Sequence, residues 1–441
     1  MKPITQKRLQ QLQESYNDNP VQKVLRHALA KNPLMDIAYV AESQLETNFK
    51  FSIDLETLPA TNQKSSGRCW LFAGLNVLRE VAAKKYNVSN IEFSQNYLAF
   101  YDKYEKINFF IEAIDDFLDC DQDDRTLKHL LAQGIQDGGQ WDMFVNLINK
   151  YGLVIKEAMP ETHSSSNSAY MNRLINIQLR KYAYTARELF QSGKPSEIKS
   201  LKEDTLARLY DFLATTLGLP PKSFDFEYVD KVKNYHLLKN QNPLDFYKAL
   251  NHNLDDYVSI INAPTKDKPF NKNYTIQYLN NVVGGKNINH LNVEMSRLEE
   301  LILAQLNDKE VVWFGSDVAF FGDRESGIWD DTAYDFDSAF DMSFRMNKEA
   351  RLDYLQGAMN HAMVITGVNL EDGKPTKWKI ENSWGEDKAS KGYYLMRNTW
   401  FSEHVYQGVV HKKYLTKSEL DTYNSQPIVL KPWDPMGSLA K

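Results

Sequence analysis

Residues 63–86 read QKSSGRCWLFAGLNVLREVAAKKY, and the fold class follows from how this stretch is taken. From about Cys69 to Tyr86 apolar residues recur at helical spacing. Leu71, Leu75, Leu78 and Ala82 share one face, with Trp70, Gly74, Val77 and Val81 beside them. So wide an apolar stripe predicts a central helix buried on most sides. At its mouth stands Cys69, one of two cysteines in the chain. It is either a small buried hydrophobe or a nucleophile. In the second case the helix dipole and a nearby imidazolium would lower its pKa.

Working outward, TQKRLQQLQESY (5–16) predicts a helical arm starting at Thr5, and FKFSIDLETLPATNQ (49–63) predicts strand and loop. SQNYLAFYDKYEKINFFIEAIDDFL (94–118) predicts a tyrosine-rich amphipathic helix, more suited to core or interface than to binding. DGGQWDMFVNLINKYGLV (137–154) predicts a Gly-Gly turn and a short helix closed at Tyr151-Gly152. Residues 165–255 read as mostly helical, with SEIKSLKEDTLARLYDFLATTLG (196–218) the clearest piece. After about 256 the character changes. DYVSIINAP, NYTIQYLNNV, VVWFGSDV, AMVITGV, WKIENSW and GYYLM predict strands. Helices first and strands later imply an α+β fold. The chain divides into an arm and extended lead-in (1–60), a helical part with the Cys69 helix (61–164), a helical insertion (165–255), a β-rich part (256–425) and a C-terminal arm (426–441).

The 441 residues are 42% hydrophobic, ample for a large core, and the net charge of −6 gives no reason to expect nucleic acid as a partner. The polar N-terminus lacks a secretory apolar segment, and no run approaches the length of a membrane span. Two cysteines, Cys69 and Cys120, cannot staple a protein of this size. These features predict a soluble protein of a reducing compartment, the cytoplasm. No histidines pair at metal-ligand spacing, so neither metal nor cofactor is expected.

A nucleophilic cysteine needs a base, usually histidine. His361 opens HAMVITGVNLEDGKPTKWKIENSW (361–384), a strand–turn–strand pattern with the hairpin signal Asp372-Gly373. About a turn centred between Glu371 and Asp372, His361 and Asn382 face each other at the hairpin's open end. An asparagine oxygen there accepts the second ring N–H and fixes the tautomer, and Trp384 is placed to shield that bond from water. Gln63, six residues ahead of Cys69, offers an amide that with the Cys69 N–H would form an oxyanion hole. Taken singly, each residue has a plainer reading: His361 a core histidine, Asn382 a turn residue, Gln63 a surface polar group. Acyl transfer requires the four together.

QKSSGRCWLFAGLNVLR, MNHAMVITGV, WKIENSWGED and the terminal PWDPMGSLAK resemble the bleomycin hydrolase / aminopeptidase C family of papain-like cysteine peptidases, in family order along nearly the whole chain. The resemblance implies a papain-like fold with a helical insertion, and a cysteine peptidase, most simply an aminopeptidase acting on peptides. It implies Cys69 as nucleophile, His361 as base, Asn382 as its orienter and Gln63 as the oxyanion residue. Gly138 and Gly139 would form a cleft wall that hydrogen-bonds extended substrate. The C-terminal arm would enter the cleft, where a terminal carboxylate, that of Ala440 once Lys441 is cleaved off, pairs with a substrate's α-ammonium. A homohexamer is also implied. His361 follows Cys69 by 292 residues, against roughly 130–150 in compact papain-like enzymes, which leaves room for the insertion. Four positions depart from the family pattern: Ser316 replaces Cys, Ala319-Phe320 replaces Gly-Lys, and Ser438 replaces Ala. The Ala319-Phe320 change is expected to reshape the cleft, so an endopeptidase stays open. A non-peptidase Cys–His acyl-transfer enzyme and a catalytically idle peptide-binding oligomer are the rivals from other classes.

Overall fold

The helix forms over Cys69–Tyr86, and 14 of its 18 residues are buried, as so broad an apolar surface requires. Asn87 ends it in the left-handed region, φ 52°. Gly74 marks a close approach: a Cβ there would lie 2.8 Å from the Phe144 ring. That spacing seats the helix Trp141–Tyr151 against it. The structure is a computed structural model and describes residues 1–45 and 48–440.

One face of the Cys69 helix lies on a mixed sheet. In spatial order its strands are Ile428–Leu430, Lys272–Ile276, His290–Asn292, Tyr257–Ile261, Val405–His411, Val312–Ser316, His361–Glu371, Lys374–Glu381, Tyr393–Arg397, Ile328–Trp329 and Gly322–Asp323. Ile53–Asp54 adds to His361–Glu371 off this path. The other side of the helix meets Gln95–Asp115 and Trp141–Tyr151. Trp141 and Trp313 join the layers with ring centroids 5.9 Å apart, and the Trp313 indole donates to the Trp70 carbonyl at 3.2 Å. The fold is α+β. Among the described residues no helix is long and apolar enough to cross a membrane.

Most of the expected elements form. Thr5 caps Gln6–Asp18 by accepting from the Arg8 N–H, and Ile198–Leu217 matches the clearest insertion helix. Three corrections follow. The stretch read as mostly helical also contains an antiparallel hairpin, Phe224–Val229 with Tyr235–Gln241. The strand Val405–His411, in the middle of the sheet, was not expected. In the long hairpin the turn centre lies between Asp372 and Gly373, both at positive φ, and the ladder carries two irregularities. Val364 pairs with Glu381; extended to the open end, that register sets His361 opposite Trp384 instead of Asn382.

Candidate active site

Cys69 is the first residue of its helix and is fully buried. The backbone N–H of Ala362 donates to its Sγ at 3.5 Å, so the thiol lies against the start of the strand that carries His361. His361 Nε2 is 2.8 Å from Asn382 Oδ1. The displaced register does not separate them. Asn382 follows the last strand residue, Glu381, and its side chain reaches back. The residue that takes the opposite position, Trp384, stacks on the His361 ring with centroids 4.9 Å apart. Bonding Nε2 to an acceptor leaves Nδ1 as the ring's second functional atom.

Gln63 is buried and its amide is fixed at both ends. Its Nε2 donates to the Ser66 carbonyl at 2.6 Å, and its Oε1 accepts from the Ser383 hydroxyl at 2.6 Å. Ser383 also donates its backbone N–H to Asn382 Oδ1 at 2.8 Å. One residue thus couples the Gln63 amide to the His361–Asn382 pair, a connection sequence spacing did not reveal. The loop is braced further: Ser66 Oγ donates to the Gln63 carbonyl, Arg68 Nε donates to Ser66 Oγ, and Arg68 pairs with Glu161 at 2.8 Å.

Burial pushes the Cys69 thiol up to about 12, against the Ala362, Trp70 and Cys69 N–H groups that pull it down. Burial likewise pushes the His361 imidazole down to about 4; its bond to Asn382 opposes this and the Arg324 charge adds to it. Here the expected lowering of the thiol is overturned. The helix N-terminus is where it was expected, but in a closed cleft desolvation outweighs it, and the neutral thiol–imidazole pair is favoured.

The cleft is closed by the chain's own C-terminus. Gly139 N–H donates to the Ala440 carbonyl at 3.1 Å, the two residues pair as an antiparallel bridge, and Ala440 is fully buried. Gln140 Nε2 donates to the Ser438 carbonyl, and Ser438 Oγ to the Met359 carbonyl, each at 2.6 Å. Ser438, a departure from the resembled pattern, therefore adds a tether. Lys441 lies outside the described residues. Gly139 is glycine for a steric reason: a Cβ would sit 2.4 Å from Trp70.

Behind this wall lie two buried ion pairs. Lys106 contacts Asp102 at 2.6 Å and donates to the Gly138 carbonyl at 2.7 Å. Lys103 contacts Asp137 at 2.5 Å. Burial raises the Asp137 carboxyl, but the Lys103 charge and bonds from Lys103, Ser168 and Asn172 outweigh it and hold the group well below the usual carboxylate range. Gly138 is thus held through its carbonyl, and its neighbour's N–H faces the tail.

The other departures fall differently. Ser316, distant in sequence, is the cross-strand neighbour of His361, and its hydroxyl is buried without a hydrogen-bond partner. Phe320 stacks near His404 and lines a separate cavity of about 750 Å³ with Phe336, Phe340 and Phe344. Its carbonyl accepts from the Trp400 indole. It is not among the residues lining the groove beside the tail. Among the described residues no three His, Cys, Asp or Glu side chains converge as metal ligands do.

Residues 3–437 match the model of the Peptidase C1-like family. The chain is 45% identical to aminopeptidase C of Lactobacillus delbrueckii subsp. lactis, over 100% of this chain and 99% of that protein. It is 46% identical to aminopeptidase C of Streptococcus thermophilus, over 96% of each. The crystal structure of PepW from Lactobacillus rhamnosis HN001 superposes with a TM-score of 0.97 at 46% identity, covering 99% of both chains.

Proposed function

Because the chain belongs to the Peptidase C1-like family and is a cysteine-type peptidase of papain-like fold, we propose that it is an aminopeptidase working through Cys69, His361, Asn382 and Gln63. His361 takes the Cys69 proton, and the thiolate adds to the scissile carbonyl. The new oxyanion is held by the Cys69 N–H and the Gln63 amide. His361 then protonates the leaving amine as the C–N bond breaks, leaving a thioester. Water, deprotonated by His361, adds to the thioester and releases the acid and the thiol. Asn382 keeps the imidazole oriented throughout.

The observation that carries the exopeptidase reading is the Gly139–Ala440 pairing. The tail occupies the wall where residues preceding the scissile bond would pair, so only a chain that begins beside the tail's end fits. With Lys441 removed, the Ala440 carboxylate would lie beside that bridge, ready to accept the α-ammonium of a substrate's first residue. Names of relatives with 42–46% identity over nearly the whole chain support the same activity.

The test is one peptide offered with a free and with an acetylated N-terminus. Release of single residues from the free form alone supports the reading. Internal cuts in both forms would make the protein an endopeptidase. The reading extends to a cytoplasmic homohexamer. Two free cysteines support a reducing compartment, and the uncovered N-terminal helices support assembly.

A further inference from the structure

Arg324 is exposed on the turn between the short strands Gly322–Asp323 and Ile328–Trp329. Its guanidinium carbon lies 5.3 Å from the centroid of the Trp384 ring, and that ring stacks on His361. The cation therefore contacts the same indole that covers the imidazole. Among the described residues no carboxylate lies within ion-pair distance of it. Its charge still reaches the site: at His361 it adds to the lowering that burial causes, and at Tyr394 it opposes the raising that burial causes.

The tail gives the cleft a direction. Its bonds go to Gly139, Gln140 and Met359. Trp384 instead neighbours His361, Trp329, Tyr394 and the Asn62 bridge. A substrate whose first residue begins at the tail's end continues past Cys69 and His361 toward Trp384. On the aminopeptidase reading the portion released as amine lies on the Trp384 side, where Arg324 sits over the indole.

We infer that Arg324 binds a carboxylate in the leaving portion of the substrate, either the free C-terminus of a short peptide or an acidic side chain just past the scissile bond. This rests on the aminopeptidase reading. An extended residue spans roughly 3.3–3.6 Å, so a carboxylate one or two residues beyond the cleaved bond arrives near the indole that carries the guanidinium. Held over the indole, the guanidinium offers a planar N–H fork of the kind that suits a carboxylate. The protein is thereby biased toward di- and tripeptides, whose own C-termini supply the anion.

The experiment measures kcat/KM for leucine release from Leu-Gly-Gly, from its C-terminal amide, and from Leu-Asp-Gly amide, with the full-length protein, R324Q and R324K. The unsubstituted protein should prefer the acid, the aspartyl amide or both over the plain amide by roughly 2- to 5-fold, as an exposed charge pair allows. Which of the two is preferred separates the C-terminal from the side-chain source. R324Q should bring the ratios close to one, and R324K should retain part of them. Ratios near one in the unsubstituted protein, or equal ratios in R324Q, overturn the inference while leaving the aminopeptidase reading standing. No leucine release from any of the three defeats both.

Discussion

In the proposed mechanism Asn382 exchanges no proton, and its effect runs through His361 Nε2 at 2.8 Å. Asn382→Ala should therefore lower kcat more than it raises KM, by about 10²-fold, the low end for losing general acid–base efficiency. Stopped assays of a single aminoacyl substrate would read that split. Glu381, one residue earlier, presents a different problem. Burial pushes its carboxyl up to about 8, and Asn76 donates to it at 2.8 Å. Between the ordinary carboxylate range and pH 8 the folded chain keeps a proton the unfolded chain has lost, so stability falls as pH rises through that window. Glu381→Gln should flatten the decline of melting temperature between pH 5 and 8; equal slopes in both proteins would remove this account. At this scale the sequence reading reached the residues whose type announces chemistry. Ser383, Lys103, Lys106 and Arg324 were not legible, because each acts through a contact that only the folded chain creates.

The tail and the Gly138–Gly139 wall form a two-strand element with one removable partner. Deleting Ser438–Lys441 takes away the bridge to Gly139 and the bonds to Gln140 and Met359. Water then reaches Cys69, its desolvation lessens, and the thiol pKa should drop. Iodoacetamide should alkylate the truncated protein at least tenfold faster at pH 7, and acetylated peptides should become substrates. An unchanged rate would mean that something other than the tail shields the thiol. Element by element, the Cys69 helix was legible because its apolar period is unbroken. The His361 hairpin was legible because Asp372-Gly373 names its turn. Its register was not, because the turn centre falls one residue later and irregularities interrupt the ladder. Val405–His411 reads as a short run broken by Gly408 and gives no sign of a central place; its pairing with Tyr257–Ile261 and Val312–Ser316 sets that place.

Across the whole molecule, the helices Gln6–Asp18 and Pro20–Leu29 bury no residue and expose Leu9, Leu12, Tyr16, Val21 and Val24. Apolar residues displayed on otherwise polar helices gain little by lying free in water, so the proposed hexamer should depend on them. Light scattering on the full chain should give six subunits, and deletion of residues 1–33 should give fewer; six subunits in both would free the arm of this role. The sheet order carries one more consequence. Val405–His411 fills the gap between Tyr257–Ile261 and Val312–Ser316, strands that come far earlier in the chain. Until that segment leaves the ribosome the nascent chain has two open sheet edges, Val312–Ser316 lacks a neighbour, and the wall lacks its tail. Long-range pairing of this kind closes late. Cleavage activity therefore waits for Val405–His411 to pair, and a chain stalled before residue 405 is an aggregation hazard but not a stray protease.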